Sequence, residues 1–242
     1  MPNLVLNVTP FAHLKTVLND AFFSPVRLAL AAENYGVDGL VAVYTAQSNG
    51  ISREELEQLN RLHGTFLNVL VPFHPDAVRQ VLAMAPGMVT LVQFQGDPER
   101  PAALPVRDLR EDLESLIADF NANNVSTAIM IKPDFDTLKI VGKLPVDAVL
   151  LDCQEFTAAP DSNARLIAEE NIQTTARGAV KLGLAVHVMG NIEMPHLPTL
   201  KTIPLVADII MDVGILKYAF YSGLEAAIQR FRKAIQYDGD TL

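Results

Sequence analysis

The chain has 242 residues, half of them hydrophobic, and a formal net charge of -9. This length suits one barrel of about 250 residues or two small domains, and the acidic balance excludes a nucleic-acid surface of the usual basic kind while leaving room for a small anionic ligand. One cysteine, Cys153, gives no disulfide framework, and no leader-like start or uncharged apolar stretch of about 18 residues is present, so a soluble cytoplasmic protein without a membrane partner is expected.

The first strand is predicted over Leu4 to Val8, followed by a loop carrying Pro10 and His13. Ser24-Pro25 opens a helix that runs to about Tyr35, with proline where its missing N–H is not needed and Gly36 as the stop. Gly39 to Tyr44 reads as the second strand, and Ser52 with Glu55 forms a capping box for a helix ending near His63-Gly64. Phe66 to Val71 is the third strand, Pro75 starts the next helix, and Met88 to Phe94 is the fourth strand. Gln95 to Pro105 is rich in proline and reads as a loop above the strand ends.

Leu109, Leu113, Leu116, Ile117 and Phe120 then recur at helical spacing. Ser126 to Ile131 is the fifth strand, Phe135 to Val141 a short helix, and Asp147 to Asp152 the sixth strand. A long helix over Ser162 to Leu182 leads to a seventh strand at Ala185 to Met189, and an eighth follows at Ala207 to Met211. Leu224, Ala227, Ile228, Phe231 and Ile235 mark the closing helix.

Eight apolar strands alternating with helices imply an α/β fold, a (β/α)8 TIM barrel spanning residues 1–242 as one domain. A doubly wound sheet fits the same rhythm, but it would more often carry a glycine-rich first turn, where this chain has Thr9-Pro10-Phe11.

In a barrel, chemistry belongs at the C-terminal strand ends. Asn7 and Asn68 fall in matching strand-tip positions and could hold a ligand or satisfy local backbone groups. Asp152 and Glu155 could be an acid/base pair, with solvated loop acids as the alternative. His187 shares one strand face with Met189 and Asn191; inward, it would be a general base, otherwise a hydrogen-bonded core histidine. Lys132 is a phosphate contact, a Schiff-base candidate or a surface lysine. Tyr44, Gln93 and Gln154 could line a neutral polar pocket, and Gly214, with Lys217 beyond it, lies where helix N–H groups bind phosphate in barrels. Glu193, His196 and Asp212 are a loose metal-like trio, but no spacing matches a known zinc motif, so no metal is expected.

Several segments resemble the pyridoxine 5′-phosphate synthase family over nearly the whole chain. They are Leu6-Asn7-Val8, Pro25-Val26, Ala32-Glu33, Asp38-Gly39-Leu40, Leu67-Asn68, Leu91-Val92, Pro133-Asp134, Leu182-Gly183-Leu184 and Ser222-Gly223-Leu224-Glu225-Ala226-Ala227. The resemblance implies a TIM barrel that forms homo-oligomers. It also implies condensation of 1-deoxy-D-xylulose 5-phosphate with an amino-acetone phosphate, without metal or organic cofactor.

The chain departs from that pattern where the chemistry sits. Thr9 and Pro10 follow the first-strand asparagine in place of the family's aspartate and histidine, and Val43 and Thr45 stand for a histidine and an arginine. Ser48 and Asn49 replace basic residues, and Leu70 takes the place of the catalytic glutamate. Met189, Gly190 and Asn191 replace a glycine-histidine-glycine run, and Asp212 and Val213 a glycine-histidine pair, while Asp152 matches an acidic position. Leucine and valine cannot exchange protons at these points. A divergent member is therefore expected, with the parent condensation in doubt, a small polar or phosphorylated metabolite as ligand, and a non-catalytic scaffold as a further alternative.

Overall fold

Short runs of branched apolar residues form the strands because both of their faces are covered. The computed structural model describes residues 1–45, 50–62, 64–95, 100–203 and 205–236. Its strands are β1 (Asn3–Asn7), β2 (Gly39–Val43), β3 (Phe66–Pro72), β4 (Met88–Gln95), β5 (Arg100–Ala102), β6 (Ser126–Ile131), β7 (Ala148–Asp152), β8 (Ala185–Met189) and β9 (Val206–Met211). Apart from β5, they pair in parallel in the order β1-β2-β3-β4-β6-β7-β8-β9, and β9 returns to β1. This is a closed eight-stranded (β/α)8 barrel.

The helices are α1 (Thr9–Leu18), α2 (Pro25–Asn34), α3 (Arg53–Asn60), α4 (Pro75–Leu82), α5 (Arg110–Ala122), α6 (Phe135–Val141), α7 (Gln154–Thr157), α8 (Ser162–Lys181), α9 (Leu197–Leu200), α10 (Val213–Ser222) and α11 (Leu224–Gln236). Their starts follow the sequence signals. The Ser52–Glu55 capping box closes in both directions on α3, and Asp161 accepts from the Ala164 N–H at the head of α8.

Alternation along the strands divides the core in two. Leu4, Leu6, Leu40, Val69 and Leu91 point outward and pack with helix residues such as Leu113, Ile117, Phe120 and Phe231. Val5, Val41, Val43, Leu70, Val92, Met130, Leu150, Met189 and Ile210 fill the barrel interior, with Met88, Ala128 and Ala148 as a separate small cluster.

Two stretches differ from the sequence expectation. The loop expected around Pro10 and His13 is helix α1: proline sits in its first turn, where the missing N–H is tolerated, so it starts the helix and does not break it. The loop expected over Gln95 to Pro105 contains β5, which folds back antiparallel on β4 with Gln93 opposite Ala102 and Gln95 opposite Arg100. Residues 96–99 of that stretch, the matched positions Ser48 and Asn49, and the expected helix end at His63 lie outside the described residues. Among the described residues, no helix is long and apolar enough to cross a membrane.

Candidate functional site at the barrel mouth

The C-terminal ends of the strands enclose a cavity of about 800 Å³, a size suited to a small molecule. Its floor is apolar. Val43, Met130 and Met189 line it and belong to the interior cluster that also holds the fully buried Leu70. These side chains fill the barrel below the mouth and leave the cavity above them open.

The polar wall is built by β7, β8 and β9. Asp152 ends β7, and its Oδ1 accepts from the Gln154 N–H at 3.0 Å. Burial raises the Asp152 pKa, and nearby Glu155 adds to this; the Gln154 N–H and Lys132 pull the other way but lose. The tip of β8 presses against this carboxylate at Gly190, which has φ +127. A Cβ there would come within 2.9 Å of Gln154 N and 3.1 Å of Asp152 Oδ1, so only glycine allows the approach. Asn191 follows with φ 49, a left-handed conformation asparagine tolerates, and lines the cavity.

Asp212 follows β9 and precedes α10. It lines the cavity, is 9% exposed, and its Oδ1 is buried without a hydrogen-bond partner. Burial raises its pKa; the backbone N–H groups of Gly214, Val213 and Asn191 lower it by a smaller amount, approaching the carboxylate without closing a hydrogen bond on Oδ1. Gly214 is required for packing: a Cβ there would fall 2.1 Å from the Ile192 carbonyl oxygen.

Positive charge enters from the rim. Arg100 on β5 and Lys217 on α10 both line the cavity, and Lys217 is ion-paired to Glu193. His13 on α1 also lines it, with its pKa lowered by burial, which favours the neutral imidazole. Asn7 closes the wall at β1, where its Oδ1 accepts from the Thr9 N–H at 3.0 Å, so its amide nitrogen remains as the donor for a ligand.

Of the residues singled out from sequence, the structure brings Asn7, Thr45, Asp152, Gln154, Asn191 and Gly214 to the cavity. Glu193, Asp212 and Lys217 line it too, and the others lie elsewhere. Asn68 points into the barrel on β3, one inward position below Leu70, and accepts from Thr90 Oγ1 at 2.9 Å; Leu70 bars it from the mouth. His187 also points inward, but it lies one inward position below Met189 on β8, at the N-terminal side of the interior, with Nδ1 2.5 Å from Asp208 Oδ2.

Tyr44 faces the helices, where its hydroxyl donates to Gln80 Oε1 at 2.5 Å. Gln93 lines a separate cavity with His74, Asp76 and Gln80. Lys132 and Glu155 form an exposed ion pair at 2.9 Å, and the hydrogen bond that Lys132 donates to Glu155 is the main reason the Lys132 pKa rises, which works against a neutral Schiff-base amine. The metal-like trio is dispersed in its bonding: Glu193 serves Lys217, and His196 Nδ1 accepts from the Glu193 N–H at 3.0 Å. Cys153 is fully buried and burial drives its pKa far up, so its thiol is inert.

His13 and Arg100 are the residues sequence reasoning missed. The helical character of α1 would have aimed His13, and the strand β5 delivers Arg100; proline hid both elements.

A barrel of this architecture, with the half-buried Asp152 and the buried Asp212 over an apolar floor at its strand ends, defines a small-molecule-cavity TIM barrel. The chain belongs to the family described as pyridoxal phosphate biosynthesis protein PdxJ, whose model matches residues 4–237. It is 24% identical over 241 residues to a pyridoxine 5′-phosphate synthase of Bacteroides fragilis, covering 98% of this chain and 100% of that protein. It is 26% identical to one of Rhodopseudomonas palustris, covering 96% and 93%. Among solved structures, KGPDC from Streptococcus mutans superposes with a TM-score of 0.64 at 13% identity, over 98% of each chain, a likeness of fold.

Proposed function

We propose that this chain is a divergent member of its family that carries out proton-transfer chemistry on a small polar metabolite at the barrel mouth, and that it has given up the parent condensation. One observation supports this above the others: Asp152 and Asp212, both with raised pKa, enter one cavity whose floor is the apolar side chains of Val43, Met130 and Met189. A carboxyl group whose pKa is raised by burial suits acid/base catalysis. Asp152 is the general base of this reading, Asn7 and Gln154 orient the ligand, and Arg100 meets an anionic end of the ligand, a phosphate included.

The parent chemistry needs proton carriers where this chain has Val43 and Leu70, and neither side chain exchanges a proton. Purified protein given the two family substrates is expected to form no pyridoxine 5′-phosphate. Turnover near 1 s⁻¹, within the ordinary enzyme range, would overturn that part. For the proposed reading, incubation with a pool of small polar metabolites and mass-spectrometric detection of consumption is the test. Consumption abolished in Asp152→Asn supports it; no consumption of any metabolite would leave a non-catalytic barrel.

Self-association belongs to the same proposal. Phe22, Phe220 and Tyr221 are solvent-exposed on the outside of the barrel, Tyr221 at 95%, and exposed aromatics of this kind favour burial between copies. A monomeric mass by light scattering at micromolar concentration would remove it.

A further inference from the structure

Beside the mouth, residues at the ends of β3 and β4 border a second cavity of about 750 Å³, again of small-molecule size. One strip of chain borders both spaces: Arg100 and Pro101 on β5 line the mouth, and Leu104 and Pro105 just after it line the second cavity. Thr45 and Phe94 line both, so the two share a wall. His74, Asp76 and Pro105 in the second lining are exposed, so a small solute reaches it from solvent.

The chemistry of the two spaces differs. Asp152, Asp212, Arg100 and Lys217 give the mouth its charges. The second cavity has one carboxylate, Asp76, which is ion-paired to Arg79 on the same helix, and no lysine or arginine lines it among the described residues. An anion entering it would shed water without gaining a partner.

Hydrogen-bond donors are what this lining offers. The Tyr44 hydroxyl donates to Gln80 Oε1 at 2.5 Å, which fixes that amide and leaves its Nε2 to donate. His74 Nδ1 accepts from the Asp76 N–H at 3.4 Å, which leaves Nε2–H as the donor of that ring. The half-buried Gln93 side-chain amide makes no hydrogen bond to any described residue. Apolar surface surrounds these groups. Phe73 and Phe94 are half-buried, and neither ring stacks on another aromatic among the described residues. Val92, Leu104 and Leu109 add aliphatic walls. Unstacked ring faces favour a flat aromatic guest.

We propose that the second cavity is a binding site for a small uncharged aromatic carbonyl compound, an aryl amide being the simplest case. Its ring packs against Phe73, Phe94 and Leu104, its carbonyl oxygen accepts from this donor set, and its N–H groups donate to Gln93 Oε1. Absence of charge and planarity are both selected: a carboxylate meets no cation, and a puckered ring loses the aromatic faces. The site uses neither Asp152 nor Asp212 and stands whether or not the mouth is catalytic.

Benzamide is the probe, with benzoate as its anionic isostere and cyclohexanecarboxamide as its non-planar one, in calorimetry, thermal shift and methyl NMR on the full chain. Benzamide is expected to bind one to one and raise the wild-type Tm by about 3 °C at roughly tenfold excess over its Kd. Benzoate should bind about tenfold more weakly or worse, and cyclohexanecarboxamide about threefold more weakly or worse. Benzamide should move the Leu104 and Leu109 methyl signals and leave the Met130 and Met189 methyls in place, which locates it in wild type without a variant. Gln93→Leu, shown to be folded by circular dichroism, should lose about fivefold in benzamide affinity or more. No benzamide binding, equal binding of benzoate or cyclohexanecarboxamide, movement of Met130 or Met189 in place of Leu104 and Leu109, or unchanged affinity in folded Gln93→Leu would each overturn it. Benzamide binding with no metabolite consumed sinks the enzymatic reading of the mouth and leaves this one. Consumption abolished in Asp152→Asn, with no benzamide binding in wild type, sinks this one alone.

Discussion

Asp152 and Asp212 flank the same strand tip: Gly190 packs against the Asp152 carboxylate, and the Asn191 N–H is directed at Asp212. Both groups reach the cavity because β7 and β9 are separated only by β8, whose tip is thin at glycine. The arrangement puts two acids with raised pKa in one compartment, and it separates them from the exposed acid Glu155, which sequence spacing alone had joined to Asp152.

Activity should follow that separation. Asp152→Asn is expected to lower kcat by about 100-fold or more, the usual worth of a positioned proton carrier, with the fold retained. Glu155→Gln removes a surface ion pair worth about 1 kcal/mol or less and should leave kcat essentially as it was. Steady-state kinetics on the consumed metabolite, with circular dichroism as the control, separates the two.

Leu70 is a structural plug. It is fully buried in the interior cluster, between the cavity floor and the Asn68–Thr90 pair. Leu70→Ala should destabilise the protein by about 2–5 kcal/mol, read as a lower urea midpoint at unchanged m-value. A loss below about 1 kcal/mol would mean the interior repacks freely.

Asp208 on β9 and Asp212 at its tip should respond to acid with opposite signs. Burial works to raise the Asp208 pKa, but hydrogen bonds and charge from His187 and a hydrogen bond from Asn3 win and hold it below 3.8. Its contribution is therefore present above the ordinary carboxylate range and is lost as pH falls below 3.8. Asp208→Asn should flatten the acid limb of the stability curve. Asp212, with a raised pKa, costs stability as pH climbs from 3.8 through its higher native value. Asp212→Asn should gain about 2 °C in Tm near neutrality and nothing at pH 3. Differential scanning calorimetry from acid to neutral pH checks both.

Tyr44 is tied to the outer layer through Gln80. Tyr44→Phe should cost about 1 kcal/mol from the lost hydrogen bond and leave ligand affinity at the mouth unchanged. An affinity drop above about threefold, by calorimetry on the ligand the cavity takes, would mean that β2 transmits strain to the site.

The sequence by itself determined the barrel, because strand and helix periods, capping residues such as Ser24 and Ser52, and apolar strands covered on both faces are local properties that one chain displays directly. It also determined which side chains share a strand face, so that Met189, Asn191 and His187 align. Depth was decided only by the tertiary structure. Asn68 and His187 face inward as Asn7 does, but strand tilt and register set them one inward position below Leu70 and Met189, beyond reach of a ligand. Tyr44 and Gln93 turned away because an odd or even position flips a side chain across the sheet. His13 and Arg100 became site residues only when α1 and β5 were folded over the mouth, a juxtaposition of distant segments that no local pattern encodes.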